Sequence, residues 1–265
     1  MKITISDKIH EVCPGLVLAV MSCEVRNSDT LPGLWKELEE EIQKFKVTHS
    51  LEDINQLPEI KATRQLYKTL GKDPNRYRPS AEALCRRIIR DIPIYQVSTL
   101  VDCINLVSIR SGFSIGGFDR DKINGDIVLG VGTADDKFEA IGRGILNVEG
   151  LPLFRDETGG IGTPTSDHER TKIMETTTKL LMIINGYSGK EGLEEAVDHA
   201  TRLLKDYAGL GECRVEWLSR ILWLFQIIYI KKYSISYVLI ILFTKINSAN
   251  KTSRPSLRFL DKYYP

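Results

Sequence analysis

Between Gly159 and Thr171 the chain reads GGIGTPTSDHERT, which crowds Thr163, Thr165, Ser166, Asp167, His168 and Glu169 into one glycine-led segment. Those residue types together suit ester hydrolysis. A carboxylate or imidazole can orient water as general base, and backbone N–H groups beside glycine can receive the oxyanion that forms on the carbonyl. Asp167 and His168 are the candidate catalytic groups, with Thr163, Thr165 and Ser166 as pocket wall. The competing reading is a Pro-Thr-Ser-Asp turn whose side chains merely cap backbone groups. For His168 that reading is the stronger, since two neighbours on a loop make no triad without spatial partners.

A second chemistry lies upstream. Nine Lys and Arg against two Asp and Glu fall between Lys61 and Arg90, in a chain whose net charge is only +1. Phosphate binding needs local positive charge, so one cationic face on an otherwise acidic body is compatible with RNA docking. An ordinary solvated helix face is the alternative. Arg64, Lys68, Arg76, Arg78, Arg86 and Arg87 are the candidate RNA contacts. For Arg64 a structural ion pair is an equal reading, because guanidinium pairs with carboxylate and phosphate alike.

Period and punctuation give the elements that must hold these groups. Lys2–Ser6 alternates like a short strand, and Leu16–Val25 is an apolar run suited to a covered sheet. Pro32–Phe45 and Leu57–Leu70 carry apolar residues at helical spacing, and Gly71 can end the second in the left-handed conformation. Pro74 and Pro79 forbid helix between them, which predicts a rigid basic loop. Ser80 is a candidate N-cap for a helix from Ala81, and Ser98 for one closed by Ser111-Gly112, after which Gly116-Gly117 predicts a turn. Four short strands separated by glycines follow, at 127–131, 137–141, 145–148 and 151–155. A glycine-rich loop from Thr158, strand-like 171–177 and 179–184, and a helix from Gly192 to Tyr207 complete the pattern. The class expected is α+β, a mainly antiparallel sheet packed with helices.

Three ordered motifs then gain meaning together: Pro79-Ser80 at a helix start, Val101-Asp102-Cys103-Ile104-Asn105 within a helix, and Phe118-Asp119 at a turn. From about Gly15 to Ile184 the chain resembles the B3/B4 domain of the phenylalanyl-tRNA synthetase beta subunit, and still more the free-standing bacterial proteins built from that domain. The resemblance implies a B3/B4-like fold, the acceptor end of tRNA or aminoacyl-tRNA as partner, and removal of a wrongly attached amino acid in trans. It places Asn105 in the substrate pocket. Gly116 stands at the position of a pocket histidine, Ile104 at that of a threonine, and Thr163 near that of a glutamate, so most of the tyrosine-reading set is replaced. Two alternatives stay open: a tRNA-binding or RNA-binding protein without catalysis, and a binder or hydrolase of a small amino-acid-like metabolite without RNA.

Composition narrows the remaining classes. With 42% hydrophobic and 27% charged residues the chain can bury an ordinary core. Cys13, Cys23, Cys85, Cys103 and Cys213 show no metal-ligand spacing and read as small buried hydrophobes, and no signal region opens the chain, so a reducing cytoplasm is expected. His10, His49 and His199 are scattered, which gives no zinc site. Gly130-Val131-Gly132 precedes acidic residues and a strand, so no nucleotide cofactor is implied. DNA is not an expected partner, and the oligomeric state stays open. The domain division expected is 1–216 for the tRNA-binding and editing-like domain and 217–265 for an atypical apolar and basic tail. From Trp217 to Leu260 there is no Asp or Glu. Residues 221–244 are long enough to cross a bilayer, but Lys231 and Lys232 near the middle make such a span marginal, and a pair of short strands is a further reading. The tail reads best as out-of-frame translation or a disordered extension.

Overall fold

The computed structural model describes residues 1–220. Strand β1 (Ile3–Ile5) leads into helix α1 (Asp7–Val12), started by Ser6, whose hydroxyl accepts the Ile9 N–H. Strand β2 (Val17–Glu24) is followed by four helices, α2 (Pro32–Thr48), α3 (Pro58–Thr69), α4 (Ser80–Ile89) and α5 (Thr99–Ser111). A run of strands comes next: β3 (Ile115–Asp119), β4 (Ile127–Val131), β5 (Glu139–Ala140), β6 (Gly144–Ile145), β7 (Pro152–Arg155), β8 (Gly160–Thr163) and β9 (Ser166–Asp167). Strand β10 (Lys179–Gly186), helix α6 (Leu193–Tyr207) and strand β11 (Cys213–Ser219) complete the body.

The strands form two principal sheets, one in the order β11-β2-β10-β3 and one in the order β1-β4-β7-β8-β9, with β5 and β6 as a separate pair. All pairings are antiparallel except β1 with β4. The class is α+β, as the pattern indicated. Alternation explains the layering, because successive side chains of a strand point to opposite faces. Ala19, Met21, Leu180, Met182 and Ile184 face a core shared with the helices, whereas Leu18, Val20, Leu181 and Ile183 face one shared with Leu129, Phe154 and Ile161 of the other sheet. The central sheet is thus buried on both sides. Each fully buried Leu or Ile there contributes about 1.5–3 kcal/mol relative to exposure.

Four local expectations change. Pro79, not Ser80, takes the cap position of α4, and Ser80 instead donates its backbone N–H to Pro164 O at 2.7 Å. Gly116-Gly117 makes no turn but lies in β3, paired with Ile183 and Met182 of β10. The glycine-rich loop from Thr158 is the β8–β9 hairpin, and 171–177 is irregular rather than a strand, with a single β-bridge from Lys172 to Phe118. In β3 and β8 glycine marked close backbone approach, which sequence alone does not separate from a turn.

Cys23 and Cys213 lie opposite each other in the β2–β11 register and form a disulfide across 190 residues of sequence. Both had read as small hydrophobes, because residues so distant in sequence give no local sign of pairing. Strand β11 runs past Glu216 to Ser219, so Trp217 and Leu218 belong to the sheet. The readings of the tail from Ile221, a membrane span included, lie outside the described residues. Among the described residues no helix is long and apolar enough to cross a membrane.

Candidate functional site

Helix α4 is fixed at its start by two neighbours. Pro164 O takes the Ser80 N–H, and the Ser114 hydroxyl takes the Ala81 N–H at 3.5 Å. This docking sets α4, α5, β3 and the β8–β9 hairpin around a hollow of about 440 Å³, within the usual range of small-molecule pockets. Asn105, Thr163, Ser166 and Asp167 all border it. A second hollow of about 270 Å³ shares Ser80, Leu84, Val97 and Asn105 as common wall and adds Arg87, Tyr95, Arg143 and Thr165. The two hollows adjoin along that wall as an inner lobe beside Asp167 and an outer lobe with two cations and an exposed tyrosine. A hollow of about 470 Å³ between β1 and the β2–β11 edge holds none of the expected site residues.

Asp167 is the distinctive group. Its Oδ2 accepts the Gly117 N–H at 3.0 Å, and burial pushes its carboxyl up to about 7, against the opposing pull of that hydrogen bond. Enclosure in a poorly polarisable site disfavours the charged form. Two glycines make the enclosure possible. A Cβ on Gly162 would lie 2.6 Å from the Phe118 ring and 2.7 Å from Asp167 Oδ1, and one on Gly117 would lie 2.5 Å from Ile104 Cδ1. Gly117 rather than Gly116 borders the cavity, because strand alternation turns Gly116 toward the Phe118 ring.

The other candidates divide into those the fold uses and those it leaves at the cleft. His168 Nδ1 accepts the Arg170 N–H at 2.9 Å, and its ring packs edge-on to Phe138 at 5.0 Å. Burial, then the Arg170 charge, hold its pKa below the usual value. It caps a short helical turn and lines neither lobe. The Thr163 hydroxyl accepts the N–H groups of Thr165 and Ser166 and donates to Ser166 O, while Thr165 donates to Tyr77 O and accepts from Tyr67. Both hydroxyls thus shape the hairpin as well as bordering the cleft. Asn105 borders both lobes and reaches the Asp102 carboxylate. Asp102 itself is fully buried and takes the Thr30 hydroxyl and the Val97 N–H, which ties down the wall that Val97 contributes.

The cationic set is rearranged most. Glu82 is fully buried, and Arg64, Arg78 and Arg86 converge on it at 2.8, 3.5 and 2.8 Å. Arg64 also reaches Asn75, and Arg86 reaches Asn55. These two guanidiniums therefore face inward as an ion-pair core, since a buried carboxylate without counter-charge would be far costlier than an exposed one. Arg87 stacks over Tyr95, 4.7 Å from its ring centre, and donates to Pro93 O at 2.6 Å. Lys68 and Arg76 remain exposed on the α3–α4 side. Sequence reading missed Tyr95, Arg143, Lys172 and Ile173. All four lie on irregular segments, where no period marks a wall.

The chain belongs to the B3/4 domain family, whose model matches residues 62–209. Solved structures similar to it include an N-terminal fragment of the phenylalanyl-tRNA synthetase beta-subunit from Pyrococcus horikoshii, at 17% identity and a TM-score of 0.44. That likeness covers 80% of this chain and 50% of the other, so the chain spans about half the length of its structural relative. No curated protein sequence matches it. The resemblance read from the three motifs holds.

Proposed function

We propose that the chain binds the acceptor end of an aminoacylated tRNA and hydrolyses the ester of a wrongly attached amino acid. The observation that carries this reading is a hollow lined by both Asp167 and Asn105 that shares a wall with a lobe bearing Arg87, Arg143 and Tyr95. The kinship with a domain found in a tRNA synthetase subunit supports it. In this reading the outer lobe holds the terminal nucleotide, with cations for its phosphate and an aromatic face for stacking. Asp167, with a pKa of about 7, takes the proton of water attacking the ester carbonyl. Asn105 offers its amide to the ester or ribose. Lys68 and Arg76 extend the cationic path, while Arg64 and Arg86 support it from within.

The inward arginines favour one second reading, a hydrolase or binder for a small amino-acid-like molecule with no RNA, because they remove two charges from the docking face. Deacylation of a panel of mischarged tRNAs, with Asp167→Asn, Asn105→Ala and the charge reversal Arg87→Glu beside the parent chain, separates the two. Hydrolysis lost in the first, and salt-dependent tRNA affinity lost in the third, is the expected result. Salt-dependent binding of tRNA with no ester cleaved would leave a non-catalytic tRNA-binding protein. Cleavage of small aminoacyl esters with no tRNA affinity would favour the second reading.

A further inference from the structure

Resting on that reading of the site, we infer that Glu169 is a positioning residue: it holds the β5–β6 turn where Arg143 can meet a phosphate of the bound terminal nucleotide. Strands β5 and β6 pair at only two positions, Glu139 with Ile145 and Ala140 with Gly144. So short a pair is not stable alone, and its place depends on what it is tied to. Gly142 and Gly144, at φ +66° and +71°, turn the chain, and a Cβ on either would stand in open space. Packing does not hold the tip at either glycine.

Three ties to the segment after β8 hold it instead. Asp167 O accepts the Ile141 N–H at 3.1 Å, Ala140 bridges to His168, and Glu169 Oε1 accepts the Gly142 N–H at 3.2 Å. Glu169 supplies the one side chain among these ties, and Lys172 holds its other oxygen at 2.5 Å. Ile141 and Arg143, on either side of Gly142, border the inner and the outer lobe respectively. The carboxylate thus fastens the turn at the point that divides the lobes. Among the described residues the Arg143 guanidinium has no hydrogen-bond or ion-pair partner, whereas Arg87, the other cation of the outer lobe, engages Pro93 O and the Tyr95 ring. A free guanidinium at the rim suits a phosphate, which accepts parallel N–H donors.

The sign of one effect separates position from charge. Removing Glu169 deletes a negative charge and frees Lys172, so electrostatics alone would tighten the binding of a polyanion. Loss of a positioning contact weakens it. Binding of total deacylated tRNA to the full chain is measured by fluorescence anisotropy over a series of salt concentrations. Arg143→Ala lowers affinity about ten-fold and reduces the salt slope by about one. Glu169→Ala lowers affinity about three-fold or more, while Glu169→Gln, which keeps an oxygen for the Gly142 N–H, binds as tightly as the parent or tighter. Added to Arg143→Ala, Glu169→Ala brings no further loss, because both act through one contact. Equal or tighter binding by Glu169→Ala, an equal loss in Glu169→Gln, or losses that add in full in the double variant overturn the inference and leave the tRNA reading standing. The expected pattern with no ester cleaved removes the hydrolase and keeps the positioning role. No tRNA binding by the parent chain overturns both.

Discussion

Asp167 and Glu82 show how burial gives two carboxylates opposite uses. Glu82 meets three guanidiniums in an ion-pair cluster; Asp167 meets one backbone N–H and no ion-pair partner among the described residues, and burial raises its carboxyl to about 7. On the proposed role of general base, Asp167 should make deacylation rise with pH through about 7. The profile of kcat/KM against pH should lose that rise in Asp167→Asn, with a rate loss of about 10²–10⁴-fold. Stability follows the opposite sign. Between the ordinary value of 3.8 and about 7 the folded chain holds a proton that the unfolded chain has released, so stability declines as pH rises through that window. Denaturant titrations across it should show a shallower decline in Asp167→Asn. For Glu82→Ala the expected result is a loss of about 3–5 kcal/mol in urea unfolding, because Arg64 and Arg86 keep their buried positions without a counter-charge.

At the scale of elements, the glycines of β3 and β8 decide the site. Gly162→Ala would press a methyl group into Phe118 and the Asp167 carboxylate, and a loss of about 1–3 kcal/mol with reduced activity is expected from unfolding and deacylation measured on the same variant. Stability equal to the parent's with activity still low would show that the carboxylate's position, not the fold, had suffered. The long periodic elements were legible: α2, α3, α6, β2 and β10 fall where apolar spacing put them. β3 was not, since Gly116-Gly117 carries a turn signal in sequence and serves as a close-contact strand in space. The loop expected from Thr158 became a hairpin for the same reason.

For the whole molecule, the Cys23–Cys213 bridge joins the edge strand β11 to the centre of its sheet across almost the full described length. Closing so long a loop restricts the unfolded chain, an effect of about 2–4 kcal/mol. Cys213→Ser, or reductant added to the parent chain, should lower the midpoint of thermal unfolding, and reductant should leave the variant's midpoint unchanged. An equal midpoint for variant and parent under oxidising conditions would deny the bridge any stabilising role. The bridge also replaces the reading of five free thiols, and Cys13, Cys85 and Cys103 remain free.

The amino-acid order by itself determined the class, most helices and long strands, the family, and the segments that carry Asn105 and Asp167. Local period and turn chemistry act over a few residues, and that range suffices for those features. Which arginines face solvent and which glycine borders the cavity were decided only when distant segments met. Glu82 captures Arg64 across 18 positions and Gly117 holds Asp167 across 50, and no pattern within one element encodes a partner that the fold alone brings near.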